Sequence, residues 1–127
     1  MKTSAKILSI AASALISVSA LAQEGKPWIH DPSTIMKCDG KYYTFGTGGG
    51  GLISEDGWNW YPGAVRPGGG AAPDALKIGD RYLVAYSSTG GGLGGGHAGR
   101  ILTMWNRTLD PESPDFAYTE AVEVASS

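Results

Sequence analysis

"DGKYYTFGTGGG" (residues 39–50) and "GDRYLVAYSSTGGG" (residues 79–92) are two versions of one pattern, and this pattern decides the fold. Each version begins with a tight turn of Asp and Gly, continues as an aromatic-rich strand and ends in a glycine run. An Asp-Gly pair between apolar runs is a strong hairpin signal. A repeat of about forty residues made of short strands is typical of a β-propeller blade.

The segments that follow the two hairpins complete the same unit. Each glycine run leads into a further strand, "LISEDGWNW" (residues 52–60) in the first unit and "GRILTMWNRTL" (residues 99–109) in the second. Proline or glycine interrupts nearly every window of ten residues after residue 22, which argues against helices. We therefore predict an all-β chain.

The first 22 residues read as a targeting segment. Lys2 and Lys6 precede a short apolar run and an Ala-Leu-Ala site, which is the order found in a secretory signal peptide. The apolar run is too short to span a membrane. We predict that residues 1–22 are a signal peptide and that the protein is secreted or periplasmic, without a membrane partner.

The remaining residues, 23–127, are too few for a closed propeller. About 105 residues hold little more than two blades of ~40–45 residues each, whereas closure needs at least about four. We predict that residues 23–127 form the N-terminal part of an incomplete propeller domain with exposed blade edges. A free-standing small β domain that closes by oligomerising is the alternative.

Charge and cysteine content narrow the class of protein. The chain has 10 basic and 12 acidic residues, and loss of the two lysines with the signal peptide leaves a net charge of about −4. This balance lacks the basic footprint of a nucleic-acid-binding protein. Cys38 is the one cysteine, so it has no internal disulfide partner, and we expect a small, half-buried side chain in a strand.

Two aspartates open the two units. Asp31 precedes Pro32, and Asp74 follows Pro73, so each acid lies beside a proline at a strand entrance. In a propeller the innermost strands start near the central axis, where such side chains converge. Asp beside Pro is also ordinary turn chemistry, and from spacing alone both interpretations stay open.

Three ordered motifs then carry a resemblance. "HDPSTIMKCDGKYYTFGTGGGGLISEDGWNWYPGAV", "AAPDALKIGDRYLVAYSSTG" and "LTMWNRTLDPESPDFAYTEAVEVASS" together resemble the N-terminal part of glycoside hydrolase family 43, in its arabinan endo-1,5-α-L-arabinosidase branch. The resemblance covers the chain from about Trp28 to Ser127. It implies a five-bladed β-propeller that degrades arabinan or arabinoxylan by an inverting mechanism.

The resemblance also implies roles for individual residues. Asp31, in "HDPS", would be the general base that activates water, and Asp74, in "APDA", would tune the pKa of the acid and orient it. Further substrate contacts would come from His30, Ala72 and Pro73. The family implies no cofactor on this part of the chain, although the complete propeller could hold calcium, and it implies a monomer whose partner is an oligosaccharide or polysaccharide.

The chain departs from the family at the general acid. That residue is a glutamate expected in a later blade, and none of the glutamates after the signal peptide lies in a matching context: Glu24, Glu55, Glu112, Glu120 and Glu123. We expect these 127 residues alone to be inactive. Alanines also flank "APD" where the family often has an aromatic and a branched residue. A non-catalytic carbohydrate-binding propeller is the alternative function.

Three weaker patterns remain. Gly46, Gly48 and Gly51 satisfy the dinucleotide-binding glycine pattern, but "LISEDGWNW" is no helix that could hold a pyrophosphate. His30 and His97 lack a clustered third metal ligand. "SEDGWNW" resembles the Asp-box of sialidase-type propellers, and from it we expect a blade corner with Trp58 and Trp60 packed between sheets.

Overall fold

The computed structural model describes residues 23–89 and 99–126. The predicted signal peptide, residues 1–22, lies outside the described residues, as do His97 and the second glycine run, residues 90–96. The described ranges contain strands, turns and bends, and none of their segments is a helix long and apolar enough to cross a membrane.

Two four-stranded antiparallel sheets make up the structure. Blade 1 has the order β1-β2-β3-β4, and blade 2 has the order β5-β6-β7-β8. Consecutive strands are therefore neighbours, as in propeller blades. Their bounds are β1 Met36–Cys38, β2 Lys41–Phe45, β3 Gly51–Ser54, β4 Tyr61–Ala64, β5 Ala71–Ile78, β6 Arg81–Thr89, β7 Gly99–Asn106 and β8 Val122–Ser126.

The Asp39-Gly40 turn joins β1 to β2 as predicted. Asp39 has φ 50° and Gly40 has φ 82°, so both central residues occupy the left-handed region that a two-residue type I′ hairpin requires. Cys38 pairs with Lys41 across this turn. The sequence signal and the backbone geometry agree at this position.

The strand registers give the repeat an offset of forty residues. Cys38 pairs with Lys41 in blade 1, and Ile78 pairs with Arg81 in blade 2. With this offset, the blade 1 counterpart of Asp74 is Thr34. Asp31 and Asp74, which are 43 positions apart, therefore do not occupy strictly equivalent places in the two units, although both lie at strand entrances.

The core lies between the two blades. Alternate residues of the central strands point from each sheet into the interface, where apolar side chains are almost completely buried. Full burial of such a side chain contributes roughly 1.5–3 kcal/mol. The buried cluster comprises Cys38, Tyr43, Phe45, Ala64, Ala75, Tyr82, Val84, Tyr86, Met104 and Leu109.

The opposite face of blade 2 and its outer strand are exposed. Leu76 and Ile78 on β5 keep 57% and 46% of their surface accessible, and all five residues of β8 are exposed. The predicted exposed blade edge is present in the described structure. An exposed apolar sheet edge of this kind can pair with another strand or pack against another segment.

A hydrogen-bonded cluster closes the interface at the hairpin-turn end. Thr108 Oγ1 donates to Asp39 Oδ2 at 2.9 Å, and the amide of Leu109 donates to Cys38 Sγ at 3.3 Å. Cys38, Thr108 and Leu109 are all buried. We call these four residues, Cys38, Asp39, Thr108 and Leu109, the Asp39 network. Cys38 is more deeply buried than the half-buried strand residue predicted.

The predicted Asp-box corner is also present. Asp56 Oδ1 accepts hydrogen bonds from the amides of Trp58 and Asn59, both at 2.8 Å. These bonds, with that from the Asn59 amide foremost, lower the pKa of Asp56 to about 2. Trp60 is buried as predicted, but Trp58 is 56% exposed, so the expectation that both pack between sheets is wrong for Trp58. The Asp56 carboxylate thus accepts hydrogen bonds from the backbone amides of its own turn, and this turn directs the Trp58 side chain outward.

Candidate active site

The two predicted acids lie at the same end of the blades. Asp31 precedes β1, and Asp74 lies near the start of β5, so both are at the end where the innermost strands begin. The antiparallel order also brings the β2–β3 turn, residues 46–50, to this end. We call it the Asp31 end, and it lies opposite the Asp39 network.

Asp31 is held in an unusual backbone conformation. Its φ of 47° lies in the left-handed region, which Asp occupies more readily than most residues but still at a cost of order 1–3 kcal/mol. The amide of Thr47 donates to the carbonyl of His30 at 2.9 Å, and the amide of Ser33 donates to the carbonyl of Phe45 at 2.8 Å. The segment around Asp31 is thus attached on both sides to the end of β2.

The Asp31 carboxylate is bonded through one oxygen. Oδ2 accepts a hydrogen bond from Thr47 Oγ1 at 3.0 Å and lies 2.8 Å from His30 Nδ1. Within residues 23–89 and 99–126, no group donates to Oδ1. The side chain is 49% exposed. One oxygen is therefore fixed while the other stays open to solvent or substrate.

Asp74 lies at a β-bulge. Ala71 pairs with Ser87 while Asp74 pairs with Ala85, so β5 carries one residue more than β6 between these pairs. A bulge bends a strand and redirects a side chain, and bulges are common beside active sites. Ala72, inside the bulge, has φ 44°. The bulge turns the Asp74 side chain toward blade 1.

Two backbone amides bind the Asp74 carboxylate. The amides of Thr34 and Ala75 donate to Oδ1 at 3.0 and 2.9 Å. These bonds, with the Thr34 amide foremost, lower the pKa of Asp74, because donors stabilise the ionised form. Asp74 therefore supplies a negative charge close to the segment that carries Asp31.

A single hydroxyl joins the two parts of the site. Thr47 Oγ1, which donates to Asp31, accepts a hydrogen bond from the amide of Ala72 at 2.9 Å. Sequence analysis did not identify Thr47. The only local signal is a threonine between glycines directly after a strand, which indicates a turn rather than a site. We call His30, Asp31, Thr47 and Ala72 the Asp31 network.

Arg66 is a buried residue that contacts the β2–β3 turn at the Asp31 end. Its side chain is buried, lies over the Tyr86 ring at 4.6 Å and donates through Nη2 to the carbonyl of Gly46 at 3.2 Å. Burial lowers the pKa of Arg66. In the described part of the chain no carboxylate forms an ion pair with it. Sequence analysis also missed Arg66, whose contacts all depend on the fold.

The other predicted contact residues differ in exposure. His30 and Ala72 are exposed, whereas Pro73 is buried. Their contact with a substrate stays a prediction. Among the glutamates, Glu55 pairs with Lys41 at 3.3 Å beyond the far end of β3, and Glu123 pairs with Arg100 at 3.6 Å on the outer strands.

The alternative ligand sites find little support among the described residues. They bring together no group of three or more His, Cys, Asp or Glu side chains that could hold a metal ion. The calcium that the resemblance implies for the complete propeller stays a prediction. The glycine pattern at Gly46, Gly48 and Gly51 leads into strand β3 and not into a helix. That geometry lacks the helix N-terminus that a dinucleotide site uses.

Taken together, the two antiparallel blades carry carboxylates at a common end, and this architecture is similar to part of the propeller of solved arabinanases. No family model matches the chain. Among curated proteins, it is 38% identical over 74 residues to the probable arabinan endo-1,5-alpha-L-arabinosidase A of Aspergillus flavus and to that of Aspergillus oryzae. The matched region is 46% of this chain and 23% of each relative.

Solved arabinanase structures match a larger part of this chain than the curated sequences do. An exo-1,5-alpha-L-arabinanase from a bovine ruminal metagenomic library matches with a TM-score of 0.66 and 32% identity, covering 78% of this chain and 36% of that protein. A Cellvibrio cellulosa alpha-L-arabinanase complexed with arabinohexaose matches with a TM-score of 0.62 and 26% identity, covering 78% and 36%. The family 43 endo-arabinanase of Bacillus licheniformis matches with a TM-score of 0.62 and 25% identity, covering 82% and 40%.

The chain is thus similar to the arabinanases of glycoside hydrolase family 43, and it spans between about a quarter and two fifths of the length of these relatives. The predicted resemblance and the predicted propeller fold are confirmed.

Proposed function

We propose that the protein containing this chain hydrolyses arabinan, with Asp31 as the general base. The observation that carries the proposal is the geometry of the Asp31 carboxylate: Oδ2 is held by Thr47 and His30, the side chain is 49% exposed, and no group among the described residues donates to Oδ1. A carboxylate that must bind and deprotonate water needs one fixed and one accessible oxygen.

The proposed chemistry is inverting hydrolysis. Asp31 Oδ1 accepts a proton from a water molecule as that water attacks the anomeric carbon, while a carboxylic acid protonates the leaving oxygen. Asp74, kept ionised by the amides of Thr34 and Ala75, raises the pKa of that acid and so keeps it protonated. The acid itself would be a glutamate elsewhere in the full-length protein, so residues 23–127 alone should not turn over substrate.

The proposed substrate follows from the relatives. The curated Aspergillus proteins are described as acting on arabinan, and the Cellvibrio structure contains arabinohexaose. We extend this to an oligosaccharide or polysaccharide substrate for this protein, with arabinan preferred and arabinoxylan second. Such substrates lie outside the cell, which accords with the proposed export through residues 1–22, and the full-length protein is proposed to act as a monomer.

A rate assay on the full-length protein tests the proposal. Wild type should release reducing ends from linear arabinan, and Asp31→Ala should lower kcat by about 100- to 10,000-fold. Asp80→Ala, which removes an exposed acid at the opposite end, is the matched control and should retain the rate. Equal rates for wild type and Asp31→Ala would refute the role of Asp31.

The stereochemistry is tested separately. Proton NMR in the first minutes of hydrolysis should show the β-anomer as the first product of the α-linkage, and a first product with the α-configuration would exclude inversion.

A non-catalytic carbohydrate-binding propeller is the second candidate. The same open Asp31 oxygen favours it, because a carboxylate oxygen also accepts hydrogen bonds from sugar hydroxyls. Arabinan binding by the full-length protein without release of reducing ends would select this candidate over the hydrolase.

A further inference from the structure

We propose that Thr47 is a positioning residue for the general base, and that its hydroxyl sets the orientation of the Asp31 carboxylate. This inference rests on the proposed function of Asp31. Thr47 has no counterpart among the residues that the sequence motifs assign.

The direction of the Thr47 hydroxyl proton is determined by its two partners. The amide of Ala72 can only donate, so at 2.9 Å it occupies an acceptor position of Thr47 Oγ1. An ionised carboxylate can only accept, so the single hydroxyl proton of Thr47 is directed to Asp31 Oδ2 at 3.0 Å. The Ala72 amide thereby orients the hydroxyl that orients Asp31.

His30 cannot supply the same restraint. Its Nδ1 also lies 2.8 Å from Asp31 Oδ2, but the His30 side chain is 66% exposed and belongs to the adjacent residue, so it moves with Asp31. Thr47 lies on a different segment, sixteen residues further along the chain. Among the described residues, the bond from Thr47 is the one that joins the Asp31 carboxylate to the end of β2.

The turn that carries Thr47 is itself fixed from several sides. The amide of Thr47 donates to the carbonyl of His30 at 2.9 Å, and the amide of Gly48 donates to the carbonyl of Gly70 at 2.7 Å. Arg66 Nη2 donates to the carbonyl of Gly46 at 3.2 Å from the buried side. These bonds give the Thr47 hydroxyl a defined position relative to both blades.

The same hydroxyl connects the base to the second acid. Ala72 lies two residues before Asp74, inside the bulge that redirects Asp74. In the opposite direction, the Thr34 amide, three residues after Asp31, donates to Asp74 Oδ1 at 3.0 Å. The segments that carry the two acids are thus linked by three hydrogen bonds, two of which involve the Thr47 hydroxyl. Loss of this side chain should displace Oδ1 of Asp31 from its position for attack.

Two substitutions in the full-length protein test this inference. Thr47→Val keeps the shape but removes the hydroxyl, and it should lower kcat on linear arabinan by about 10- to 100-fold while KM stays nearly constant, since misplacement of a catalytic group affects the chemical step. Thr47→Ser keeps the hydroxyl and should restore most of kcat. If Thr47→Val does not fold, the smaller Thr47→Ala takes its place.

The outcomes separate the two proposals. An unchanged kcat in Thr47→Val, or an equal loss in Thr47→Val and Thr47→Ser, overturns the positioning role. If Asp31→Ala also keeps the wild-type rate, then the proposed function fails as well. Loss of activity in Asp31→Ala with full activity in Thr47→Val leaves the proposed function intact and rejects the role of Thr47 alone.

Discussion

The two ends of the interface between the blades use the same hydrogen-bonding unit for different purposes. At each end an aspartate with left-handed backbone, φ 47° at Asp31 and 50° at Asp39, accepts a hydrogen bond from a threonine hydroxyl. The donor is Thr47 at 3.0 Å in one case and Thr108 at 2.9 Å in the other. The local chemistry of the two pairs is thus nearly identical.

The surroundings of the two pairs differ. In the Asp39 network, Asp39 itself is exposed, but its donor Thr108 is 5% exposed and the neighbouring Leu109 is fully buried, so the donor belongs to the core. In the Asp31 network the aspartate side chain is also exposed, at 49%, but its donor Thr47 is only partly buried and is bonded to the amide of Ala72, two residues before Asp74. Both carboxylates are thus exposed and the two pairs differ in the donor, because a core threonine holds Asp39, whereas the threonine that holds Asp31 also binds the strand of Asp74. The following substitutions test that distinction.

The largest effect in this set is expected at Asp74, at the exposed end. Asp74→Asn keeps an oxygen for the amides of Thr34 and Ala75 but removes the negative charge. The pKa of the general acid should then fall, so the basic limb of the kcat/KM profile should move to lower pH and the rate at pH 7 should drop by about 10- to 100-fold. An unshifted profile, measured with the full-length protein on arabinan, would remove Asp74 from the mechanism.

Substitution in the Asp39 network should change stability instead of activity. Thr108→Val removes the donor to Asp39 Oδ2 and the acceptor for the amide of Asp110, at a cost of about 1–3 kcal/mol of unfolding free energy. Its kcat should equal that of wild type. Urea unfolding and arabinan assays of Thr108→Val beside Thr47→Val should give opposite patterns. A loss of kcat in Thr108→Val without loss of stability would contradict the structural role of the Asp39 network.

The smallest effect concerns the Asp56 corner. Because hydrogen bonds hold the pKa of Asp56 at about 2, below its ordinary value of 3.8, the carboxylate stabilises the fold above pH 3.8 and loses this contribution as the pH falls toward 2. Asp56→Ala should therefore melt below wild type at pH 6, and the difference should narrow between pH 4 and pH 2. A constant difference in melting temperature across this range would contradict the assignment.

The sequence predicted the blades because their signals are local. The Asp39-Gly40 turn, the strands beside it and the Asp56 corner all depend on neighbouring residues. Asp31 could be singled out by its motif. Asp31 and Asp74 are 43 positions apart whereas the two turns are 40 apart, so the sequence itself shows that the two acids are not strictly equivalent.

The contacts that complete the site were not predictable from local patterns. Thr47 bonds to residues sixteen and twenty-five positions away, and Arg66 bonds to a carbonyl twenty positions away. Each residue reads locally as part of a turn or loop. The folding of the blades brings Thr47 to the Asp31 carboxylate and Arg66 to the carbonyl of Gly46. The exposure of Trp58 was not predicted either, because the geometry of the Asp56 turn determines the direction of the Trp58 side chain.

The most direct test compares the two left-handed aspartates in one assay. Asp31→Asn and Asp39→Asn are made in the full-length protein, and kcat is measured on linear arabinan. Asn tolerates the left-handed backbone, so both variants should fold. We predict that Asp31→Asn loses about 100- to 10,000-fold in kcat and that Asp39→Asn keeps the wild-type kcat. Equal losses in the two variants, or full activity in Asp31→Asn, would contradict the account.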